Sequence, residues 1–166
     1  MQTIIEPIAS THATALSQWL DADPGSRKFI ARSVPPCTTC NGMLERLIAA
    51  VDNGGFYAWV MRTDAGEIIA YAELKKTDKV SDNELELIYV VAAPWRNRGV
   101  GTELIDKLVS GELRGLCDVV VAFISPDNQA SRQVLVKNQF VEMPGAFDGI
   151  RYVYLVKPEL PETAAG

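Results

Sequence analysis

The segment 84–113 constrains the fold more than any other part of the chain. It begins as an apolar, strand-like run, turns at Pro94, continues through Arg-Asn-Arg-Gly-Val-Gly at residues 96–101, and ends as a helical pattern of apolar residues. A helix that follows a strand and returns to the same sheet connects parallel strands, so at least one strand pair should be parallel. The amides that open a helix lack intrahelical partners and carry partial positive charge, which makes this junction a candidate anion site.

Length and composition restrict the class of protein. A chain of 166 residues with 48% apolar and 22% charged residues is expected to form one globular domain, which we place at residues 1–157, followed by a disordered tail at 158–166. The net charge of −5 argues against nucleic acid or an anionic membrane as partner. Three cysteines, no signal-like N-terminus and no apolar run near the ~20 residues that span a bilayer indicate a reduced, cytoplasmic protein.

Hydrophobic periodicity gives the order of the elements. Helices are predicted at residues 13–20, 43–52, 100–113 and 129–138. Strands are predicted at residues 3–8, 56–62, 67–75, 84–92, 118–124, 140–143 and 150–156. Residues 21–40 contain three prolines and one glycine and are expected to be mostly loop or broken helix. This order predicts an α+β fold with a mixed, mostly antiparallel central sheet of about six to seven strands flanked by about four helices.

Two common phosphate loops do not fit the junction. The third glycine position of the dinucleotide fingerprint is Leu104 here, and no Gly-Lys-Ser/Thr follows as it would in a nucleotide-binding P-loop. From the residues alone, a plain helix start with a solvated pair of arginines is an alternative to an anion site.

The junction resembles the Arg/Gln-x-x-Gly-x-Gly/Ala signature of the GNAT superfamily of acyl-CoA-dependent N-acyltransferases. Residues 128–140 resemble that family's Asn-x-x-Ser/Ala…Lys-x-Gly-Phe segment, and the spacing of the two motifs and the order of elements match as well. The resemblance is closest to the branch that acts on ribosomal-protein N-termini and small-molecule amines. It implies a GNAT-like sheet and an enzyme that moves an acetyl group from acetyl-CoA to a primary amine by direct transfer in a ternary complex.

The same resemblance implies three groups of cofactor-binding residues. The loop and helix start would hold the pyrophosphate, the preceding strand would carry the pantetheine arm and acyl group, and the start of a later helix would complete the site. In that order the residues are Arg96, Asn97, Arg98, Gly99, Val100, Gly101 and Thr102; Tyr89, Val90 and Val91; and Asn128, Ser131 and Arg132. The acceptor, a small-molecule or protein amine, would enter between residues 21–40 and a hairpin around Phe147, in a monomer or a homodimer.

Two residues depart from the family pattern. The Tyr that many relatives use as general acid for the departing thiolate is Leu135 here, although many members of the resembling branch also lack it. The Gly before the final Phe is Gln139, which is expected to change the helix C-cap because Gln tolerates the left-handed conformation poorly. These departures leave open an alternative function, a catalytically degenerate acyl-CoA-binding sensor or interaction domain.

The chemistry calls for a base, because an alkyl amine with a pKa near 10 is only about one-thousandth neutral at pH 7. Glu84 and Glu86 lie on the strand before the loop and share one face. Either is a candidate base, and the alternative is that both are solvated. The oxyanion donor would be a backbone N–H near Val90 or Val91, and a local bulge would separate this strand from its parallel neighbour to open a slot for the pantetheine arm.

The remaining reactive side chains carry weaker signals. Cys37 and Cys40 form a Cys-x-x-Cys pair, but only Cys117 and His12 could complete a zinc site, and both are distant in sequence. We therefore predict no metal. His12 could belong to a hydrolase only with a nucleophile elbow, and no Gly-x-Ser-x-Gly is present, so it is predicted to be a surface residue.

Overall fold

The computed structural model describes residues 1–143 and 150–155. The strands are β1 Thr3–Pro7, β2 Phe56–Thr63, β3 Ile68–Lys75, β4 Glu84–Val91, β5 Val119–Ile124, β6 Val141–Met143 and β7 Ile150–Leu155. The helices are α1 Ala13–Ala22, α2 Pro24–Ala31, α3 Cys40–Asp52, α4 Val100–Lys107 and α5 Gln129–Lys137. The tail at 158–166 and the hairpin around Phe147 lie outside the described residues. Within the described part of the chain, no helix has both the length and the apolar character needed to cross a membrane.

The strands form one seven-stranded sheet in the order β1-β2-β3-β4-β5-β7-β6. All neighbouring pairs are antiparallel except β4 and β5, which are parallel. The connection between these two strands contains α4, as expected for a parallel crossover. The predicted α+β class, the mixed sheet and the parallel pair are therefore confirmed.

Each face of the sheet is covered by its own set of helices. One apolar core joins the sheet to α4 and α5 and includes Leu104 and Leu135, both fully buried. The other core joins the sheet to α1, α2 and α3 and includes Leu20 and Leu47, also fully buried. Because successive strand residues point to opposite faces, each central strand contributes side chains to both cores.

Residues 21–40 were expected to be mostly loop or broken helix, and the structure shows broken helix: α1 ends at Ala22, and α2 begins at Pro24 after a break at Asp23. Pro24 stands at the first helical position, where its missing N–H costs no hydrogen bond. Asp23 caps the helix by accepting from the Ser26 backbone N–H at 3.3 Å. The Pro-Gly pair that suggested a loop is therefore part of a helix start. With this additional helix, residues 1–143 and 150–155 contain five α-helices, where about four were expected.

The end of α5 keeps the geometry that a glycine would normally provide. Gln139 adopts the left-handed conformation with φ of 67°. Its N–H donates to Val136 O at 3.1 Å, and the Phe140 N–H donates to Leu135 O at 3.0 Å, which together form a Schellman cap. Leu135 and Phe140 belong to the same apolar core, and a hydrophobic contact between these two positions frequently accompanies such caps. The expected change of the C-cap is therefore not found, and Gln139 is held in a strained conformation instead.

Candidate active site

The helix start at α4 is shaped by glycine. Gly99 occupies the N-cap position with φ of 80°, and no side chain caps the helix there. Asn97 also has positive φ, at 61°. A Cβ added at Gly101 would lie 3.4 Å from Val134 Cγ2 and 3.6 Å from Val91 Cγ2. The first amides of α4 therefore have no side-chain cap, and at Gly101 the helix lies so close to β4 and α5 that a large side chain would not fit.

The two arginines of the loop are exposed, but each makes a contact that restricts its side chain. Arg96 Nε donates to Val91 O at 3.1 Å, so its guanidinium lies beside the end of β4. Arg98 stacks over the Trp95 ring at 5.4 Å from the ring centroid, and Trp95 Nε1 donates to Glu67 Oε1 at 3.0 Å. The loop therefore carries two constrained positive charges just before the uncapped start of α4, a combination suited to a phosphate or diphosphate.

The parallel strands β4 and β5 separate beyond Glu86. Their ladder consists of Glu84 with Val119, Leu85 with Val120 and Glu86 with Val121, whereas β4 continues to Val91. Over the same stretch β4 stays in continuous register with β3. The slot predicted between β4 and β5 is therefore present, but the predicted bulge in β4 is not. The register shift found in the sheet lies in β2, between Met61 and Arg62.

Hydrogen-bond alternation determines which β4 amides face the slot. The Ala92 N–H donates to Ile69 O at 2.8 Å, so this pair is hydrogen-bonded across β3 and β4. In an antiparallel ladder every second pair is of this kind, and the next such pair is Val90 with Tyr71. The backbone amides of Tyr89 and Val91 consequently point away from β3, towards the slot. Of the two amides expected as oxyanion donors, Val91 is suitably directed and Val90 is not.

Tyr89 places a buried phenol next to the same site. Its ring lies close to Gly101, with Cε2 at 3.8 Å from the position of an added Cβ. Burial raises the pKa of Tyr89, and the nearby Ser131 hydroxyl opposes this increase in part. Even so, the phenol oxygen makes no hydrogen bond of good geometry with any described protein group. A buried hydroxyl without a partner at the mouth of a slot is available to a polar atom of a ligand.

The start of α5 completes this side of the site. Asn128 Oδ1 accepts from the Ser131 N–H at 3.1 Å and caps the helix. Arg132 forms an exposed ion pair with Glu142 at 3.0 Å, so its guanidinium is already occupied. Thr102 O accepts from Asn138 Nδ2 at 3.2 Å, which ties α4 to α5. Of these expected cofactor residues, Ser131 lies beside Tyr89, whereas Arg132 is turned towards β6.

The two candidate bases differ in their surroundings. Glu84 and Glu86 are 8% and 7% exposed, so the alternative that both are solvated is wrong. Glu84 Oε1 accepts from the Ser81 N–H at 2.8 Å, and the Glu84 N–H donates to Ser81 O at 3.0 Å, which closes the turn before β4. Glu86 instead occupies the last paired position of β4, where the two strands separate.

A buried polar cluster on β3 was not anticipated from the sequence. Glu73 is 1% exposed and accepts from Tyr71 OH at 2.6 Å and from Lys75 Nζ at 3.0 Å. Ser33, just after α2, donates to the same carboxylate, and Lys75 Nζ donates to Ser33 Oγ at 3.1 Å. The sequence did contain a signal for this cluster. Glu73 stands within an otherwise apolar run at residues 68–74, and a buried charged side chain needs hydrogen-bond partners.

His12 is buried at 7% exposure, so the prediction of a surface histidine is wrong. Its Nδ1 accepts from the Ala9 N–H at 3.0 Å, and its Nε2 lies 2.8 Å from Glu6 Oε2. Arg62 binds the other oxygen of Glu6 at 2.7 Å. His12 therefore secures the turn before α1. The three cysteines are free thiols, and among the described residues no group of three or more His, Cys, Asp or Glu side chains could hold a metal.

The chain belongs to the GNAT acetyltransferase family, because the family described as acetyltransferase (GNAT) domain matches residues 2–141. This confirms the resemblance and the enzyme class. GNAT enzymes use acetyl-CoA as acyl donor, in agreement with the predicted donor. No curated protein sequence matches the chain significantly.

Solved structures are similar in fold over nearly the whole chain. A ribosomal-protein-S5-alanine acetyltransferase from Vibrio fischeri has a TM-score of 0.73 at 12% identity, covering 94% of this chain and 94% of that one. RimJ from Mycobacterium smegmatis, in complex with CoA-disulfide, has a TM-score of 0.68 at 18% identity, covering 92% and 81%. A spermidine N-acetyltransferase from Vibrio cholerae, in complex with CoA and spermine, has a TM-score of 0.69 at 13% identity, covering 93% and 96%.

Proposed function

We propose that the protein transfers an acetyl group from acetyl-CoA to a primary amine by direct transfer in a ternary complex. The observation that carries the proposal is the separation of β4 from β5 at Glu86, next to the helix start at Gly99. The proposal is supported by three features that adjoin β4: its separation from β5, the uncapped amides at the start of α4 and the buried Glu86 carboxylate. Acetyl-CoA would supply the activated acyl group.

On the donor side, the chain's residues would bind and orient. The first amides of α4, with the guanidiniums of Arg96 and Arg98, would hold the diphosphate. The Tyr89 and Val91 backbone amides, which face the slot, would hydrogen-bond the extended arm and the acyl oxygen. The Tyr89 hydroxyl, which has no hydrogen-bond partner among the described residues, would gain one from the bound donor.

On the acceptor side, Glu86 is favoured over Glu84 as the base. Glu86 lies at the opening of the slot, whereas one Glu84 oxygen already accepts from the Ser81 amide. A carboxylate at this point would accept the proton of an amine, directly or through a water, and so raise the fraction of neutral nucleophile. Leu135 is fully buried in the apolar core, so it contributes no acid for the leaving thiolate. That proton would come from solvent.

The acceptor is a small-molecule or protein amine. The structural neighbours act on a ribosomal protein and on spermidine, as their names state, and this range supports an amine without selecting one. The helices α1, α2 and α3 cover the face of the sheet that carries Glu86, so the acceptor would enter between them and the sheet.

The test is acetyl-CoA consumption, followed as thiol release, over a panel of peptide N-termini, lysine, polyamines and aminoglycosides. We expect turnover with at least one amine, and a loss of at least about 100-fold in kcat/KM for Glu86→Gln with that amine. Glu84→Gln serves as the matched control and should lose much less. Equal losses in both variants would contradict the choice of Glu86.

Equilibrium titration with CoA separates this proposal from the alternative function. Measurable affinity without turnover on any amine would favour an acyl-CoA-binding sensor, an alternative motivated by Leu135 in place of an acid. Lack of affinity would favour an interaction domain.

A further inference from the structure

Lys75 is the only cationic residue of β3, and it lies next to Glu86 in the sheet. Lys75 and Glu86 are direct cross-strand partners in the antiparallel β3–β4 ladder. Directly opposed residues of a ladder point to the same face, with Cβ atoms about 5 Å apart. An ammonium group with a long stem could therefore reach the Glu86 carboxylate. Such a contact would favour the charged carboxylate and weaken it as a base.

The structure shows this lysine bound elsewhere. Lys75 Nζ lies 3.0 Å from Glu73 Oε1 and 3.1 Å from Ser33 Oγ. Glu73 is itself held by the Tyr71 hydroxyl at 2.6 Å. Among the described residues, Glu86 forms no ion pair with any lysine, arginine or histidine. Lys75 thus has two neighbouring carboxylates on the same face of the sheet, Glu73 on β3 and Glu86 on β4, and its ammonium group binds Glu73.

We propose that Glu73 is a positioning residue, which binds Lys75 and thereby keeps this cation away from Glu86. This inference rests on the proposed role of Glu86 as base. Glu73 would contact neither acetyl-CoA nor the amine, since its carboxylate already accepts hydrogen bonds from Tyr71, Ser33 and Lys75. Its contribution is electrostatic and conformational: it fixes the ammonium of Lys75 on the side of α2.

The charged and titratable groups around Glu86 are few. On its own strand, Glu84 lies two residues earlier on the same face, and β5 presents Val119 and Val121 at the paired positions. On α2 and just after it, Lys28 and Arg32 are exposed, and Arg27 is bound to Asp21 and to Thr38 O. The groups on β3 that face it are Tyr71, Glu73 and Lys75. Lys75 is therefore the cation best placed to act on Glu86.

The test measures the Glu86 side-chain carboxyl directly, by ¹³C NMR titration of glutamate-labelled protein, with Glu86→Gln identifying the resonance. This readout requires neither turnover nor a known acceptor. In Glu73→Gln the amide keeps the size of the side chain but releases Lys75, and we expect the pKa of Glu86 to fall by about one pH unit or more. The double variant Glu73→Gln with Lys75→Met should restore it. Glu45→Gln, the same change at an exposed position of α3, is the control.

Two further measurements keep the inference open to contradiction. Thermal unfolding establishes that each variant is folded at the titration temperature; if Glu73→Gln is not, Ser33→Ala releases one of the two Lys75 contacts and should give a smaller shift of the same sign. No shift in the folded variants, or no restoration in the double variant, overturns the proposal. With an active amine, the acid limb of the kcat/KM profile should move with the carboxyl. Full activity of Glu86→Gln would instead reject Glu86 as base without affecting the titration result.

Discussion

The Asp23 carboxylate accepts a hydrogen bond from the Ala93 backbone N–H at 3.0 Å, although the two residues are 70 positions apart. Asp23 joins α1 to α2, and Ala93 belongs to the turn between β4 and the loop that leads to α4. The same carboxylate also accepts from Trp19 Nε1 at 3.2 Å and from Ser26 Oγ at 2.8 Å. One side chain therefore links the junction of α1 and α2 to the turn that follows β4.

This link should make stability depend on acid pH. Burial alone would raise the pKa of Asp23, but hydrogen bonds from Ala93, Ser26 and Trp19 outweigh it and lower the pKa to about 2. Because the folded value lies below the unfolded one, near 3.8, the stabilisation is complete above about pH 4 and is lost as the pH falls towards 2. We expect Asp23→Ala to lower the free energy of unfolding at pH 7 by about 1–3 kcal/mol and to remove this part of the acid dependence. Urea unfolding at several pH values measures both. Asp21→Ala, which removes an exposed partner of Arg27, is the control and should cost at most about 1 kcal/mol.

Gln139 offers a stabilising substitution. Its left-handed conformation costs a residue with a Cβ about 1–2 kcal/mol, while glycine adds about 0.4–1 kcal/mol of entropy to the unfolded chain. Gln139→Gly should therefore raise the free energy of unfolding by roughly 0.5–1 kcal/mol. Lys137→Gly, two residues earlier at the end of α5, should lower it by up to about 1 kcal/mol because that residue is helical. Chemical denaturation of both variants is the measurement, and a destabilised Gln139→Gly would disprove the strain.

Gly101 should be essential for binding the donor rather than for folding. A valine would place methyl groups against Val134 and Val91, and so close the space between α4, α5 and the end of β4. We expect Gly101→Val to weaken CoA binding at least about tenfold, measured by calorimetric titration. The matched control is Gly111→Val, where an added Cβ meets no atom within 4 Å. Unchanged affinity in Gly101→Val would mean that CoA does not occupy this space.

The hydrogen bonds of His12 define one tautomer. Because the Ala9 N–H donates to Nδ1, the ring proton must lie on Nε2, which then donates to Glu6. A long-range ¹H–¹⁵N correlation spectrum at mildly alkaline pH should show the Nε2–H form, and the assignment is unambiguous because the chain contains one histidine. In Glu6→Gln the preference for this tautomer should weaken. An Nδ1–H form in the unmodified protein would contradict the turn geometry before α1.

Local patterns were sufficient for the strands, for four of the helices and for the glycine-opened start of α4, because periodicity and glycine spacing are properties of contiguous residues. They failed where distant partners decide the outcome. The helix at Pro24–Ala31 depends on Asp23 as cap, and the burial of His12 depends on Glu6 and Arg62 across the sheet. The difference between Glu84 and Glu86 likewise depends on where β5 leaves β4, which no local pattern encodes. In the last two cases, contacts between residues distant in sequence decide the structure, and the residue types alone do not.

The division of the sheet into two separately packed faces has a consequence for redesign. Residues of α1 to α3 form one core, while α4 and α5 form the other. Under the proposed function, the amine specificity could be changed by substituting the residues of α1, α2 and α3 that face the sheet. The residues of α4 and α5, which would bind CoA, would stay unchanged. Any such variant would also have to preserve Asp23, whose carboxylate connects α1 and α2 to the turn after β4.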